Sequence, residues 1–274
     1  MSISRRTFVR AAVGGAVVST SLGAGMMTPR WVRAALPPQT FFAPSPAAAI
    51  SAVLGTDQAP LDADVELDIP SMVEVADMVP LTATTTLDNI ESITIVADHN
   101  PNPVIAYYRL SPQLWPYVAT RVRLAESGNV HALVKSNGKV HRATKHVDIS
   151  ISGCGDAEPG PEPVQPTQAQ PAPDDALIRT KKSDDGLIFR ALITHPMTPP
   201  LKNPKTGERT SGYYIQEVAA QINGKTVLNG DWSSGVARDP YLSFKIRQAE
   251  KGDVIRLTWS DNAGRSASSE VVVG

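Results

Sequence analysis

A proline-rich run near the middle of the 274-residue chain constrains its fold more than any other feature. Gln, Glu and Ala fill most of the gaps in this run, whose prolines are Pro159, Pro161, Pro163, Pro166, Pro171 and Pro173. A segment of this composition buries too little apolar surface to fold, and it favours extended polyproline conformations. We therefore predict a linker over residues 155–175, with one domain of roughly 100 to 130 residues on each side.

The N-terminus has the parts of an export signal for the twin-arginine route. Arg5 and Arg6 precede an apolar run rich in Ala, Gly and Val over residues 11–27. A small residue, Ala34, then supplies the cleavage position. A membrane anchor is disfavoured, because so much Gly and Ala makes the run only weakly hydrophobic. We predict a twin-arginine signal peptide over residues 1–34 and a mature protein in the periplasm.

The overall charge and hydrophobicity exclude two classes of partner. The chain carries 26 basic and 27 acidic residues, without the basic clustering that binding to a phosphate backbone requires. Nucleic acid is therefore not expected as a partner. The only long apolar stretch is the N-terminal one, so we expect no membrane association after signal cleavage.

Residues 40–154 show the pattern of an antiparallel β domain that opens with a short helix. An Ala-rich apolar stretch after Pro46 predicts this helix over residues 47–54. Alternating or β-branched runs predict strands over residues 63–69, 92–96, 104–108, 118–124, 130–135 and 140–151. Asn137 and Gly138 separate the last two runs, as in the two-residue turn of a β-hairpin.

Residues 176–274 repeat this pattern. The predicted strands lie over residues 186–194, 213–222, 226–228, 241–247, 254–259 and 266–273. Asn223 and Gly224 predict a second hairpin turn. Several short strands with turn signals between them are typical of an immunoglobulin-like sandwich. The predicted fold is therefore all-β, with two immunoglobulin-like β-sandwich domains joined by a Pro-rich linker after an N-terminal signal peptide.

The chain has a single cysteine, Cys154, where the first domain runs out into the linker. Ser152, Gly153 and Gly155 around it are small and free the backbone, which predicts an exposed thiol on a flexible arm. An unpaired thiol in an oxidising compartment is either reactive or pairs with another molecule. The alternative is a small buried residue at a strand end; a lipidation site is excluded, because its cysteine would have to follow the signal peptide directly.

The local sequence does not activate this thiol. A solvated cysteine without a neighbouring cation titrates near its ordinary pKa, so only a small fraction is thiolate at neutral pH. Asp156 and Glu158 lower that fraction further by like-charge repulsion. Cys154 is therefore not predicted to be a catalytic nucleophile, and a cysteine hydrolase would need a base beside it.

The histidines do not predict a metal site, a cofactor or an enzyme. The five are His99, His131, His141, His146 and His195. They include no pair at helical metal spacing, and one cysteine adds no ligand motif. His131 and His141 are candidates to face each other across the hairpin, and His195 is expected in a surface or interface role before a proline turn. With no G-x-S-x-G motif and no phosphate loop, we predict that the protein is not an enzyme.

Both halves of the chain resemble known families. The first resembles SoxY, the sulfur-compound carrier subunit of bacterial thiosulfate oxidation, in WPYVATRVRLA at residues 115–125, the Gly138-Lys139 hairpin, ATK at 143–145 and ISGCG at 151–155. The second resembles its partner SoxZ in RALITHPM at residues 190–197, NGK at 223–225, DW at 231–232, DPY at 239–241 and NAG at 262–264. The sequence is thus similar to a single-chain SoxYZ fusion.

The resemblance implies a role for each half. It implies immunoglobulin-like folds that pair within one chain, and a Cys154 that holds sulfur-oxidation intermediates covalently. Haem, hydrolase and dehydrogenase enzymes of the pathway would act on this arm in turn, while the carrier itself catalyses nothing. A thiol suits this role, because thiolate exchange forms and releases bonds between sulfur atoms.

Two features depart from the family pattern. Ser152 and Asp156 replace the first and last glycines of the family's Gly-Gly-Cys-Gly-Gly tail. The chain also continues past Cys154, so the arm would enter an enzyme as a loop rather than as a single strand. Fused carriers of this kind also resemble proteins associated with periplasmic quinoprotein dehydrogenases. A non-covalent module that recruits such a dehydrogenase is therefore the alternative hypothesis, and the identity of the sulfur cargo is left open.

Overall fold

The computed structural model describes residues 40–41, 45–56, 58–150, 176–200 and 212–274. The predicted signal peptide over residues 1–34 and the predicted linker over residues 155–175 lie outside them. In the first half, helix α1 (Pro46–Leu54) precedes the strands β1 (Val65–Asp68), β2 (Met72–Val73), β3 (Val79–Thr85), β4 (Ile90–Ala97), β5 (Val104–Leu110), β6 (Leu114–Val122), β7 (Gly128–Ser136) and β8 (Lys139–Ile149). In the second half the strands are β9 (Ala176–Ser183), β10 (Gly186–Ile193), β11 (Ile215–Ile222), β12 (Lys225–Trp232), β13 (Tyr241–Ile246), β14 (Val254–Asp261) and β15 (Ser266–Val272).

The secondary structure confirms the all-β prediction. Each predicted strand overlaps an observed one, and the predicted helix lies within α1. Both Asn-Gly pairs form the expected turns, between β7 and β8 and between β11 and β12. Their backbones are left-handed, with φ of 49° and 74° at Asn137 and Gly138 and of 49° and 79° at Asn223 and Gly224. Two successive positive φ values are what a tight hairpin turn of this kind requires.

Helix α1 is capped at both ends by its own sequence. The Ser45 hydroxyl oxygen accepts a hydrogen bond from the Ala48 N–H at 3.2 Å, and Gly55 ends the helix with a φ of 76°. The buried residues that join α1 to the sheet are Phe41, Ala49, Ile50, Leu54, Val96, Val104, Leu133 and Val140. The helix thus packs against the large sheet across β4, β5, β7 and β8. No helix in the described ranges has the length and apolarity to cross a membrane.

Two sheets run through both halves of the chain. The smaller has six strands in the order β1-β3-β6-β13-β10-β9, and the larger has nine in the order β15-β14-β11-β12-β5-β4-β7-β8-β2. Each half contributes to both sheets, so each is a two-sheet sandwich. The halves meet edge to edge, where β6 pairs with β13 and β5 pairs with β12. One buried apolar core extends across both halves between the sheets.

The β5–β12 junction combines backbone pairing with a buried ion pair. Asn229 lies opposite Arg109 and Asp231 opposite Tyr107 in the antiparallel register. The Arg109 guanidinium contacts the Asp231 carboxylate at 3.1 Å, and the Asp231 side chain is only 4% exposed. Gly230 is required between them, because a Cβ at this position would lie 2.7 Å from the Val218 side chain. The junction is therefore packed as closely as the interior of a domain.

The β6–β13 junction is reinforced by side chains that reach from the first half into the second. The Thr120 hydroxyl donates to the Tyr241 carbonyl at 2.9 Å. The Trp115 indole N–H donates to the Asp185 carbonyl at 2.8 Å, and the Arg247 guanidinium lies 3.9 Å from the centre of the Trp115 ring. These contacts tie the ends of the paired strands together.

Breaking the Arg109–Asp231 pair should destabilise the whole protein. In Arg109→Met the Asp231 carboxylate keeps its buried position and loses the guanidinium, which should lower the free energy of unfolding by about 3 kcal/mol. Urea unfolding followed by circular dichroism measures this. Arg256→Met, which breaks an exposed pair with Glu270, is the matched control and should cost less than about 1 kcal/mol. Equal effects of the two variants would contradict the assignment of Arg109 to a buried junction.

Candidate functional site

The predicted site residues Ser152, Gly153, Cys154 and Gly155 lie outside the described residues. The structure instead shows what holds the start of this arm. Ser150 is the last described residue before it, directly after β8, and Ala176 is the first described residue beyond it. Cys154 follows Ser150 by four residues, so its thiol lies at most about 14 Å of chain from that point.

The end of β8 is fixed on both sides. It pairs with β7 through an antiparallel ladder on one side and with the two-residue strand β2 in parallel on the other. The Asp148 N–H donates to the Ser71 carbonyl at 2.8 Å, and the Ser150 N–H donates to the Val73 carbonyl at 2.9 Å. The Ile149 N–H between them donates to the Ser127 hydroxyl at 2.9 Å. The backbone is therefore held by hydrogen bonds up to the residue where the arm begins.

A row of polar side chains extends along β7 and β8 towards the end of β8, where the arm begins. His131 contacts Asp98 at 2.9 Å and the Thr144 hydroxyl at 2.8 Å. Nearer the arm, His146 lies 3.2 Å from the Asn129 amide oxygen and 3.3 Å from the Asp148 carboxylate. His146 and Asp148 are both more than half exposed. Such an arrangement makes a polar surface on this part of the sheet.

The prediction that His131 and His141 face each other is wrong. The β7–β8 register places His131 opposite Thr144 and His141 opposite Val134. Three positions separate His131 from Val134, and since side chains alternate along a strand, the two histidines lie on opposite faces. His141 instead contacts the Asp62 carboxylate at 2.7 Å. The hydrogen bond from the Asp64 N–H, with His141 as a second donor, lowers the pKa of that carboxyl group.

The prediction of a surface or interface role for His195 is also wrong. The residue is only 1% exposed. Its Nδ1 accepts a hydrogen bond from the Met197 N–H at 3.0 Å, and its ring centre lies 4.4 Å from that of Tyr213. Met197 has a φ of 46° and turns the chain back into the core, which buries the histidine that precedes it. Neither the residue type of Met197 nor the proline beside it predicts this turn from the sequence.

Burial changes the titration of His195. Loss of hydration disfavours the imidazolium and lowers the pKa of His195 from 6.5 to about 4; the Asp261 carboxylate opposes this shift, and the Arg265 guanidinium adds to it. Because Nδ1 accepts a hydrogen bond, the neutral ring carries its proton on Nε2, which has no hydrogen-bond partner among the described residues. His195 is therefore a neutral structural residue at neutral pH.

The described residues offer no ligand set for a metal ion. Within the described ranges, no three His, Cys, Asp or Glu side chains converge as metal ligands would.

Strand β2, which sequence reasoning missed, is the element that completes the root of the arm. A two-residue strand is too short to show alternation, and only its parallel pairing with β8 reveals it.

Comparisons with known proteins agree with this architecture. Two family models match the chain: sulfur oxidation protein SoxY over residues 50–154 and sulphur oxidation protein SoxZ over residues 178–272. Among solved structures, the sulfur carrier protein SoxY from Chlorobium limicola f thiosulfatophilum is 27% identical, with a TM-score of 0.37, and the match covers 40% of this chain and 96% of that one. The superoxide reductase (neelaredoxin) from Ignicoccus hospitalis is 14% identical, with a TM-score of 0.29, and the match covers 31% and 79% of the two chains. Curated proteins give no match.

The sandwich architecture and the two family matches define a β protein of sulfur oxidation. The matches occupy successive parts of one polypeptide and together take in most of it. The chain belongs to the SoxY and SoxZ families, joined as a single-chain SoxYZ fusion. Its two junctions are accordingly the SoxY–SoxZ pairing, made within one chain.

The buried His195 predicts a specific pH dependence of stability. The unfolded chain binds a proton at this residue below pH 6.5, whereas the folded chain binds it only near pH 4, so stability should fall as the pH falls between these values. At about 1.4 kcal/mol for each unit of pKa, the loss is on the order of 3 kcal/mol. His195→Asn keeps an acceptor for the Met197 N–H and should lose that much less stability between pH 7 and pH 4, as measured by urea unfolding.

A matched control separates this effect from histidine titration in general. His146→Asn changes an exposed histidine and should follow the wild-type curve. Curves of the same shape for wild type and His195→Asn, within about 0.5 kcal/mol over this pH range, would show that folding does not lower the pKa of His195.

Proposed function

We propose that the protein is a periplasmic carrier that holds sulfur-oxidation intermediates covalently on Cys154 while partner enzymes act on them. The observation that carries this proposal is the position of the SoxY match, which ends at residue 154, the only cysteine of the chain. The sulfur carrier protein SoxY of Chlorobium limicola, which resembles the first half, supports the same role. An unactivated thiol fits a carrier, since the partner enzymes supply the catalysis.

The loading step fixes what a partner must provide. When the thiol of Cys154 joins a sulfur anion such as thiosulfate, the S–H bond breaks and an S–S bond forms. The reaction releases one proton and two electrons, so the loading enzyme must accept electrons, as a haem enzyme does. Later removal of the outer sulfonate group by water consumes no electrons and suits a hydrolase. The thiol sulfur stays bonded to the chain throughout.

The second attachment of the arm does not limit its reach. The chain leaves β8 near one end of the large sheet and resumes at β9, which lies against β15 at the other end. Seven strand spacings separate β8 from β15, about 34 Å at ~4.8 Å each. The 22 residues from Cys154 to Ala176 span up to about 68 Å at ~3.1 Å each. The span of these residues is longer than the distance from β8 to β15, even when Cys154 is fully extended away from Ser150. The arm is therefore able to project from the protein as a loop.

The sequence pattern of an export signal supports the proposed compartment. Residues 1–34 have the pattern of a twin-arginine peptide, and the proposed location is the periplasm. In that compartment a lone thiol without an intramolecular partner is kept available for bonds to sulfur compounds rather than consumed by a disulfide within the chain.

Intact mass spectrometry tests the carrier function. Protein purified from a host that is oxidising a reduced sulfur compound should carry mass increments of sulfur or sulfonate on Cys154, and dithiothreitol should remove them. Cys154→Ala should carry none, should abolish sulfur oxidation, and should leave the free energy of unfolding unchanged within about 0.5 kcal/mol. An unmodified Cys154 together with full function of the alanine variant would favour the alternative, a non-covalent module that recruits a quinoprotein dehydrogenase.

A further inference from the structure

Three chain segments meet where the arm leaves the body of the protein. Residues 71–77, 124–127 and 148–150 are joined there by backbone hydrogen bonds, among them Leu124 N–H to the Ala76 carbonyl at 2.9 Å and Ser150 N–H to the Val73 carbonyl at 2.9 Å. We call the exposed acidic and large apolar side chains of these segments the collar. Its members are Met72, Glu74, Val75, Asp77, Glu126 and Asp148.

The collar has an exposed apolar part. Met72 is 64% exposed and Val75 is 67% exposed, although side chains of this kind are usually buried. Met72 belongs to β2, the end strand of the large sheet, and lies in register with Asp148 on β8. Leu61, another exposed apolar residue, bridges to Arg142 further back along β8. Exposed apolar side chains thus flank the strand that leads to the arm, as they do at many protein interaction sites.

The charged part of the collar is acidic. Of its four carboxylates, Asp77 is the one that pairs with a Lys or Arg among the described residues, Arg123 at 3.1 Å, and Asp148 contacts the His146 ring at 3.3 Å. Arg123 is also engaged by the Met197 and Ser234 carbonyls, to which it donates at 2.9 and 3.0 Å. Lys145 on β8 is exposed, but it alternates with His146 and Asp148 and so lies on the other face of the strand. The collar therefore presents an excess of negative charge.

The charge of the surrounding chain has the same sign. Residues 45–150 hold twelve acidic and seven basic residues, and residues 151–175 hold five acidic residues and no Lys or Arg. Residues 176–274 hold ten acidic and fourteen basic residues. The negative field is thus concentrated on the half that carries the arm, where it would steer a basic partner towards Cys154.

The short tether brings any such partner onto the collar. Cys154 extends at most about 14 Å from Ser150, so a pocket that takes in its thiol leaves little chain outside. The rim of that pocket must then lie against Met72, Val75 and the surrounding carboxylates. A rim of like charge would be repelled, and a fully polar rim would leave the two apolar side chains uncovered.

We propose that the collar is the docking surface for the enzymes that act on Cys154, and that these enzymes present a basic rim with an apolar contact for Met72 and Val75. This rests on the carrier function proposed above. The other occupant of matching chemistry is a second copy of the chain, through the edge strand β9, where Leu177 is exposed beside Arg179 and Lys181. That contact would cover the root of the arm, so an enzyme is the occupant consistent with a working carrier.

The test measures how fast Cys154 is loaded. Purified protein is mixed with thiosulfate and a purified Sox-type haem enzyme, and the mass gain at Cys154 is followed at low and high ionic strength. The collar variant is Glu74→Gln with Glu126→Gln and Asp148→Asn. Its matched control, with the same change in charge on the second half, is Asp184→Asn with Glu217→Gln and Glu250→Gln. Urea unfolding checks that both variants are folded.

The expected result is a loss of electrostatic steering in the collar variant alone. Its loading rate at low salt should fall about tenfold, with most of the salt dependence removed, while the control stays within about twofold of wild type. Met72→Ser with Val75→Ser should slow loading at both salt concentrations, since apolar contact is not screened.

Three results would contradict these expectations, and each would have a different consequence for the docking proposal and the carrier function. Wild-type loading rates in both the charge and the apolar collar variants would overturn the docking proposal while leaving the carrier function intact. Absence of any mass gain on wild-type Cys154 would contradict the carrier function, and the docking proposal with it. Self-association at low salt that the collar variant abolishes, with loading unchanged, would assign the collar to a second copy and overturn the proposal.

Discussion

The pairing of β5 with β12 and of β6 with β13 is the interaction on which the rest of the structure depends. Without it, each half would expose two long inner strands as open sheet edges, with unpaired backbone groups in water. Side chains on these strands, including Tyr108, Val118, Trp232 and Phe244, are almost completely buried. The SoxY and SoxZ halves thus share both sheets and one core, so each completes the other.

This arrangement sets where the arm emerges. Because the junctions occupy the middle of both sheets, β8 and β2 lie at the end of the large sheet farthest from the second half, and β9 and β15 lie at the opposite end. The last described residues before the arm therefore lie at the SoxY end of the large sheet. A joined SoxYZ chain needs a connection that crosses the whole body, and the residues between Ser150 and Ala176 are numerous enough to supply it.

The acidic and basic residues are also distributed unevenly between the two halves. The acidic half carries the arm, and the more basic half lies at the other end of the sheets. Under the proposed carrier function, other proteins must find Cys154, four residues beyond Ser150, and act on it. The proposed docking surface, with its carboxylates and two exposed apolar side chains, would give those proteins a surface to recognise in addition to the thiol itself.

Local patterns predicted the elements of this fold and not their assembly. Alternation and the Asn-Gly turns located most strands, because these signals depend on neighbours in sequence. They missed β2, β3 and β9, and in β3 the proline Pro80 interrupts the strand signal. The junctions depend on edges that meet across more than a hundred residues, and no local signal encodes such a meeting. Local patterns are limited in the same way at the candidate site. They identify Cys154 directly. The register of His131 and His141, the burial of His195 and the collar around β2 depend on tertiary structure and are not predicted by them.

Cutting the chain between the halves tests most directly whether they form one body. A protease site introduced within residues 161–170 allows cleavage of the purified protein without touching a described strand. The shared sheets predict that the two fragments co-elute in size-exclusion chromatography at micromolar concentration and unfold in urea as a single transition. Fragments that separate at that concentration, or that unfold in two independent transitions, would contradict the account of a single sandwich built from both halves.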